Sequence, residues 1–313
     1  MRNTAPNARA ALARFCVTFL LLGVFGLPLL ATPTPFDLNM DRVKAGRFGG
    51  DLTKAKTFIV PTVILYVSES GSVWAMSRNG DANAQAHAKF HVLGLDKAFV
   101  QDLARQIQDD LIAKLRAAGY TVKTYDDIKT HPDVVGHGRE SPDNEAGLPT
   151  TSKESLSWII VAPSDAQTFD RPIQGPAWWL KGVAENKETM VLVPEISFAV
   201  PQVYGESTTG YKRAEASINL SPAMKLHVAN IWAVDGKGGT ASIMVLEHGK
   251  RLAAEVTGTL KKVSEDKTNF TRSWGRNSSD YVFHLDPQAF SDGVLRVGFA
   301  INTMIVAQVR KGK

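Results

Sequence analysis

Between residues 82 and 92 the chain alternates without a break. Ala82, Ala84, Ala86, Ala88, Phe90 and Val92 are set against Asn83, Gln85, His87, Lys89 and His91. A period of two is that of a β-strand with one buried face, whereas a helix would scatter both sets around its circumference. This stretch therefore belongs in a sheet, its apolar face inward and its polar face outward. Asn79-Gly80 just before it tolerates the positive φ of a tight type I′ turn, so residues 73–77 are expected to pair antiparallel with it.

The neighbouring segments extend this pattern. Residues 58–67 form an almost continuous apolar run rich in β-branched side chains, expected as a strand covered on both faces. Pro61 lacks an N–H, so that strand should start or bulge there. Residues 58–92 thus read as a three-stranded meander. A helix should follow over about 96–118, with Asp96 capping its free N–H groups. Val100, Leu103, Ala104, Ile107, Leu111 and Leu115 share one stripe, and Gly119 suits the left-handed position that ends a helix. Residues 120–125 return as a strand.

Farther on, 126–155 is polar and proline-bearing and reads as a long loop, 156–161 as a strand, and 163–187 as irregular. The C-terminal half reads as strands at 189–193, 198–203, 213–220, 224–234, 241–247, 252–260 and 281–285, with hairpin connections at 235–239 and 247–250. Asp286-Pro287 resembles an N-cap and first helical residue of a closing helix over about 287–309. Gly293 and Gly298 weaken that helix by roughly 1 kcal/mol each relative to alanine. The fold class expected is α+β: an antiparallel or mixed sheet with one amphipathic helix at about 96–118 and another at the C-terminus.

The first thirty-one residues carry an address rather than a fold. Arg2, Arg9 and Arg14 precede an apolar run over 15–30, and Leu29-Leu30-Ala31 offers a cleavage point, the layout of a removable export signal. The run is short for a membrane span, which needs about 20 apolar residues. The expected organisation is a signal peptide at 1–31, an extended segment at 32–57 and a single α+β domain at 58–313, with 165–188 as the place where it would subdivide. Cleavage lowers the formal charge from +5 to +2. A surface so near neutrality gives no case for nucleic-acid binding. Cleavage also removes Cys16, the sole cysteine, and with it any thiol chemistry. An exported chain of this size without disulfides points to a periplasmic or secreted bacterial protein, with no transmembrane segment in the mature chain.

Three patterns are candidates for chemistry. His87, Lys89 and His91 line the polar face of the alternating strand; they are a solvated outer face or a binding face for an acidic partner. His87 and His91 would share a helix face as zinc ligands do, but the signature glutamate position is Ala88. His131, Asp133 and His137, followed by Glu140 and Asp143, are metal-compatible ligands in the long loop, without regular structure to fix their geometry. Trp178-Trp179 offers a stacking platform if exposed and a plug between loop and sheet if buried. The glycine-rich stretch 235–239 lacks the Gly-Lys-Ser/Thr step of a phosphate loop, and the nucleophile-elbow pattern Gly-x-Ser-x-Gly around Ser207 fails at Thr209, where it needs glycine. No cofactor signature is present. The expectation is a non-catalytic envelope protein that binds an apolar small molecule or assembles with a protein partner. The alternative is a secreted hydrolase whose catalytic groups are dispersed, with His131, His137, His227, His248 and His284 as candidate bases.

Overall fold

The structure is a computed structural model that describes residues 38, 43–79, 82–139, 154–172, 174–210, 213–246, 256–271 and 274–311. In chain order these form β1 (Val43–Phe48), β2 (Thr57–Val60), β3 (Ile64–Asn79), β4 (Ala82–Leu93), α1 (Lys97–Ala117) and β5 (Thr121–Thr124). Next come α2 (Tyr125–Ile128), α3 (Pro132–His137), β6 (Gly138–Arg139), β7 (Glu154–Val161), β8 (Thr168–Phe169) and β9 (Thr189–Ala199). Then follow β10 (Gln202–Gly210), β11 (Arg213–Ser221), β12 (Lys225–Asp235), β13 (Thr240–Leu246), β14 (Gly258–Thr271), β15 (Trp274–Leu285) and α4 (Pro287–Arg310).

The fold is α+β, built on an eleven-stranded mixed sheet whose main order is β1-β13-β12-β9-β3-β4-β15-β14. Strands from both halves of the sequence therefore share one sheet. The expected meander is replaced by a different arrangement. β2 and β3 run one after the other along the same parallel neighbour, pairing Thr57–Ile59 with Thr189–Val191 of β9 and Ile64–Val67 with Glu195–Phe198. They are two parts of one extended path, interrupted at Pro61, Thr62 and Val63. The interruption leaves carbonyls without ladder partners, and side chains take them: Gln108 Nε2 donates to Val60 O at 3.0 Å and Gln167 Nε2 to Pro61 O at 2.8 Å. Opposite this gap, residues 192–194 of β9 have no partner on that side, so Pro194 sits where the ladder is already open. For that reason β9 continues through Pro194, where the composition suggested two strands.

β3 and β4 form the expected hairpin, paired from Asn79↔Ala82 to Ser70↔His91; Gly80 lies outside the described residues. β15 lies parallel to β4 on its other side, and β14 closes that edge antiparallel to β15. These two long strands occupy a stretch where the sequence suggested strand only at 252–260 and 281–285. Their polar, exposed residues, such as Lys261, Lys262, Glu265 and Asp266, carry no apolar alternation to read. The small two-stranded sheet β10–β11 packs over the inner face of β3 and β4. Gly205 faces Ala75 there, where a Cβ would stand 3.4 Å from that of Ala75. Ala75, Ala86 and Ala88 are small because a second layer lies against them.

Two apolar cores lie on opposite faces of the sheet. On one face α1 and α4 pack together over Leu65, Val67, Leu192, Ile196 and Phe198. Asp96 caps α1, accepting from Phe99 N at 3.2 Å, and Gly119 beyond its end has φ +85°. Asp286 caps α4, accepting from the amides of Gln288 and Ala289 at 3.0 and 3.1 Å. By length and composition α4 is apolar enough to cross a membrane, yet its apolar side, including Phe290, Val294, Ile301 and Ile305, is buried within this core. On the other face Ile64, Tyr66, Trp158, Ile160, Val191 and Val193 are covered by α2, α3 and the segment 163–187. That segment and part of the expected loop 126–155 therefore contain structure: α2, α3 and short 3-10 turns at Asp165–Gln167 and Trp178–Val183.

Candidate functional site

The outer face of the arm formed by β3, β4 and β15 gathers the first group of sequence candidates. Its register places Trp74 opposite His87 and Met76 opposite Gln85, and aligns Arg276 with Gln85 and Ser278 with His87. Lys89 and His91 follow His87 on the same side, and both are exposed. This is the half-solvated strand that alternation predicts, since Ala88 and Phe90 are 2% and 4% exposed. What alternation does not show is the apolar pair beside it. Trp74 and Met76 are 43% and 46% exposed and line a cleft of about 330 Å³ with Gln85, His87 and Arg276. Gln85 Nε2 donates to Met76 Sδ at 4.0 Å. Among the described residues, Arg78, Lys89 and Arg276 form no ion pair, whereas Asp280 accepts from Ser264 Oγ at 2.6 Å. Partial burial, reinforced by the charges of Lys89 and Arg276 and opposed by Asp280, holds the His87 imidazole below its ordinary pKa.

The second and third groups of candidates meet on the opposite side of the sheet from α1 and α4. His131 is the N-cap of α3, its Nδ1 accepting from Asp133 N at 3.2 Å. Asp133 packs against the turn that carries the tryptophans; a Cβ on Gly182 would stand 2.0 Å from its Oδ2. His137 stacks on Trp179, ring centroids 4.6 Å apart and planes 11° apart, with Nδ1 3.3 Å from Asp170 Oδ2. Arg139 Nε donates to the other oxygen of Asp170. Trp178 is half-buried against the core, with Lys181 Nζ 4.6 Å from its ring centroid. So His131, Asp133 and His137 act separately as cap, packing group and stacking partner. No set of three or more His, Cys, Asp or Glu among the described residues is arranged to hold a metal. Glu140, Asp143 and His248 lie outside those residues.

A third polar group escaped the sequence reading. Glu195 on β9 is 3% exposed and accepts from Tyr66 Oη at 2.8 Å, from Trp232 Nε1 at 2.6 Å, and from Arg171 Nε and Nη2 at 2.7 and 3.2 Å. Its signal was a single acid inside the apolar run 190–200, which requires buried donors. Burial pushes the Tyr66 phenol well above its ordinary pKa, and the adjacent carboxylate adds to that rise. Burial alone would lower the Arg171 pKa, but hydrogen bonding and charge from Glu195 raise it overall. Four donors on one carboxylate describe a closed anchor that ties the 163–187 segment to the sheet. Such a carboxylate has no oxygen left open for acid–base work.

No protein-family profile, curated protein or solved structure matches this chain.

Proposed function

We propose that this chain is an exported, non-catalytic binding protein of the bacterial envelope that engages an acidic protein segment on the outer face of its β3–β4–β15 arm. The observation that carries this reading is the cleft at Trp74 and Met76. Two large apolar side chains there stand half-exposed beside Arg276, which forms no ion pair among the described residues. A tryptophan flanked by unpaired positive charge supplies both parts of a recognition surface: apolar area to bury and a charge to complement. The leader-like residues 1–31 and the absence of cysteine from the remainder support the envelope as its location.

The binding part is tested with a defined probe. A peptide alternating glutamate with leucine, titrated against the full chain, is expected to saturate and to quench tryptophan fluorescence, with affinity that falls as salt rises. Met76→Asp should weaken it, and a lysine–leucine peptide should not bind. Equal binding of the two peptides would sink the assignment. The export part is tested by the mass of the chain recovered from cells, which should correspond to cleavage near Ala31.

The contact between His137 and Asp170 is the observation that favours the second reading, a dispersed hydrolase. A carboxylate-oriented imidazole is two-thirds of a nucleophile-activating triad. Among the described residues, however, the His137 side chain is hydrogen-bonded only to Asp170, and no hydroxyl is hydrogen-bonded to it. The binding reading is therefore the better supported.

A further inference from the structure

We propose that Met76 is a reversible oxidation site, its thioether becoming a sulfoxide under a peroxide, and that this change weakens recognition at the arm. The regulatory part rests on the binding role given to the β3–β4–β15 arm; the oxidation site itself does not. Met76 is 46% exposed, whereas Met190, Met224 and Met304 are 0%, 6% and 4% exposed and belong to the apolar core. Met244 on β13 is half-buried. An oxidant must reach a sulfur lone pair to react with it, so Met76 carries the most accessible sulfur among the described residues.

The step balances with hydrogen peroxide as the oxidant. A lone pair of Met76 Sδ attacks one peroxide oxygen, and the S–O bond forms as the O–O bond breaks. The other oxygen leaves with both protons as water. Sulfur loses two electrons and the peroxide gains them. A thiol-dependent reductase reverses the change: the sulfoxide oxygen leaves as water while two thiols become a disulfide.

The surroundings of Met76 make this a switch rather than a lesion. Gln85 Nε2 already donates to its Sδ at 4.0 Å, and a sulfoxide oxygen is a stronger acceptor for that amide than a thioether sulfur. Met76 lies opposite Gln85 on the outer face, whereas Ala75 and Ala86 face the second layer, so an added oxygen disturbs no core packing. The same oxygen on Met190, Met224 or Met304 would enter the core without a donor set there for it. At the cleft the consequence is local. Trp74 and Met76 are its two large apolar side chains, and the sulfoxide makes one of them polar. The apolar area a partner can bury falls while Arg276 keeps its charge, so affinity drops and its salt dependence stays.

The test treats the full chain with hydrogen peroxide and follows both the masses of its proteolytic peptides and its affinity for the glutamate–leucine peptide. Met76 is expected to gain oxygen about tenfold or more faster than Met190, Met224 and Met304. Affinity should then fall several-fold with its salt dependence kept, and methionine sulfoxide reductases A and B together should restore it. In Met76→Leu, peroxide should leave affinity where it stood before treatment, which assigns the effect to this one sulfur. Oxidation of Met76 no faster than that of the core methionines, full affinity in the oxidised chain, or an equal loss in treated Met76→Leu would overturn the proposal. Absence of peptide binding before any treatment would be the failure of the arm reading and would take the switch with it. Failure of the switch alone shows as undiminished binding by a chain oxidised at Met76.

Discussion

Arg171 meets the buried carboxylate of Glu195 side-on, Nε to Oε1 at 2.7 Å and Nη2 to Oε2 at 3.2 Å. The pair lies beneath a segment with little regular structure, so it fixes the 163–187 chain where backbone ladders do not. Arg171→Met leaves Glu195 charged, buried and held only by Tyr66 and Trp232. Breaking a buried pair in this way costs about 3–5 kcal/mol. Urea unfolding should show a loss of that size, and Glu195→Gln combined with Arg171→Met should cost less than the two single losses added together. A loss below about 1 kcal/mol for Arg171→Met would mean the ion pair does not anchor the segment.

Tyr66 makes the same cluster sensitive to alkali. Its phenol is protonated in the folded chain well beyond the pH at which an unfolded tyrosine ionises, because burial and Glu195 oppose a second negative charge. Its contribution is thus complete below the unfolded value near 10. Above that value the unfolded chain binds fewer protons than the folded one, and stability falls as pH rises. Alkaline denaturation followed at the tyrosinate absorbance should show a late step, the ionisation of Tyr66 as the chain unfolds. Tyr66→Phe should remove that late step. If the late step survives in Tyr66→Phe, another tyrosine is responsible.

Gly298 looks like a defect in α4 when the helix is read alone, since glycine is about 1 kcal/mol worse than alanine there. Its purpose is visible only across the interface: a Cβ at 298 would stand 2.5 Å from Cδ1 of Ile107 and 2.6 Å from its Cγ1. Gly298→Ala should therefore destabilise despite the gain in helix propensity. Overpacking of this kind costs about 1–3 kcal/mol, leaving a net loss of up to about 2 kcal/mol. Ile107→Val removes the nearest methyl, so the double variant should lose less than the sum of the two single variants. Additive losses in thermal unfolding would show that the two helices do not meet as described.

Periodicity made some of this fold legible and left the rest dark for definite reasons. The strand at 82–92 and both long helices are written in spacings of two and of three to four, and Asp96 and Asp286 mark the helix starts. The collinear path of β2 and β3 is invisible in the sequence, because a proline-broken apolar run looks the same whichever neighbour it follows. β14 passes unnoticed because residues 261–267 are exposed and mostly polar, and β15 because residues 276–280 are all polar, so no inward set stands out there. The candidate site was half legible. His87, Lys89 and His91 declare their face by alternation, but Trp74 and Met76 join them only through the hairpin register. The stacking of His137 on Trp179 links residues 42 positions apart, a distance no local pattern spans.

His87 should make binding at the arm depend on pH. In the free chain its imidazole is held below the ordinary value by partial burial and by Lys89 and Arg276, with Asp280 pulling the other way. Across the window just below 6.5 the unfolded chain binds more protons than the folded one. This group's contribution to stability is therefore present above that window and is lost as pH falls. An acidic partner reverses the local sign. A carboxylate set against His87 raises its pKa, so binding takes up a proton and affinity grows as pH falls. Titration of the glutamate–leucine peptide from about pH 8 to about pH 5 should show a several-fold gain, partly offset where the peptide's own carboxylates begin to protonate. His87→Gln keeps the polar face and removes the titration, so its affinity should lose that gain while staying salt-sensitive. If His87→Gln follows the same curve as the native chain, the proton is taken up elsewhere and His87 does not face the partner.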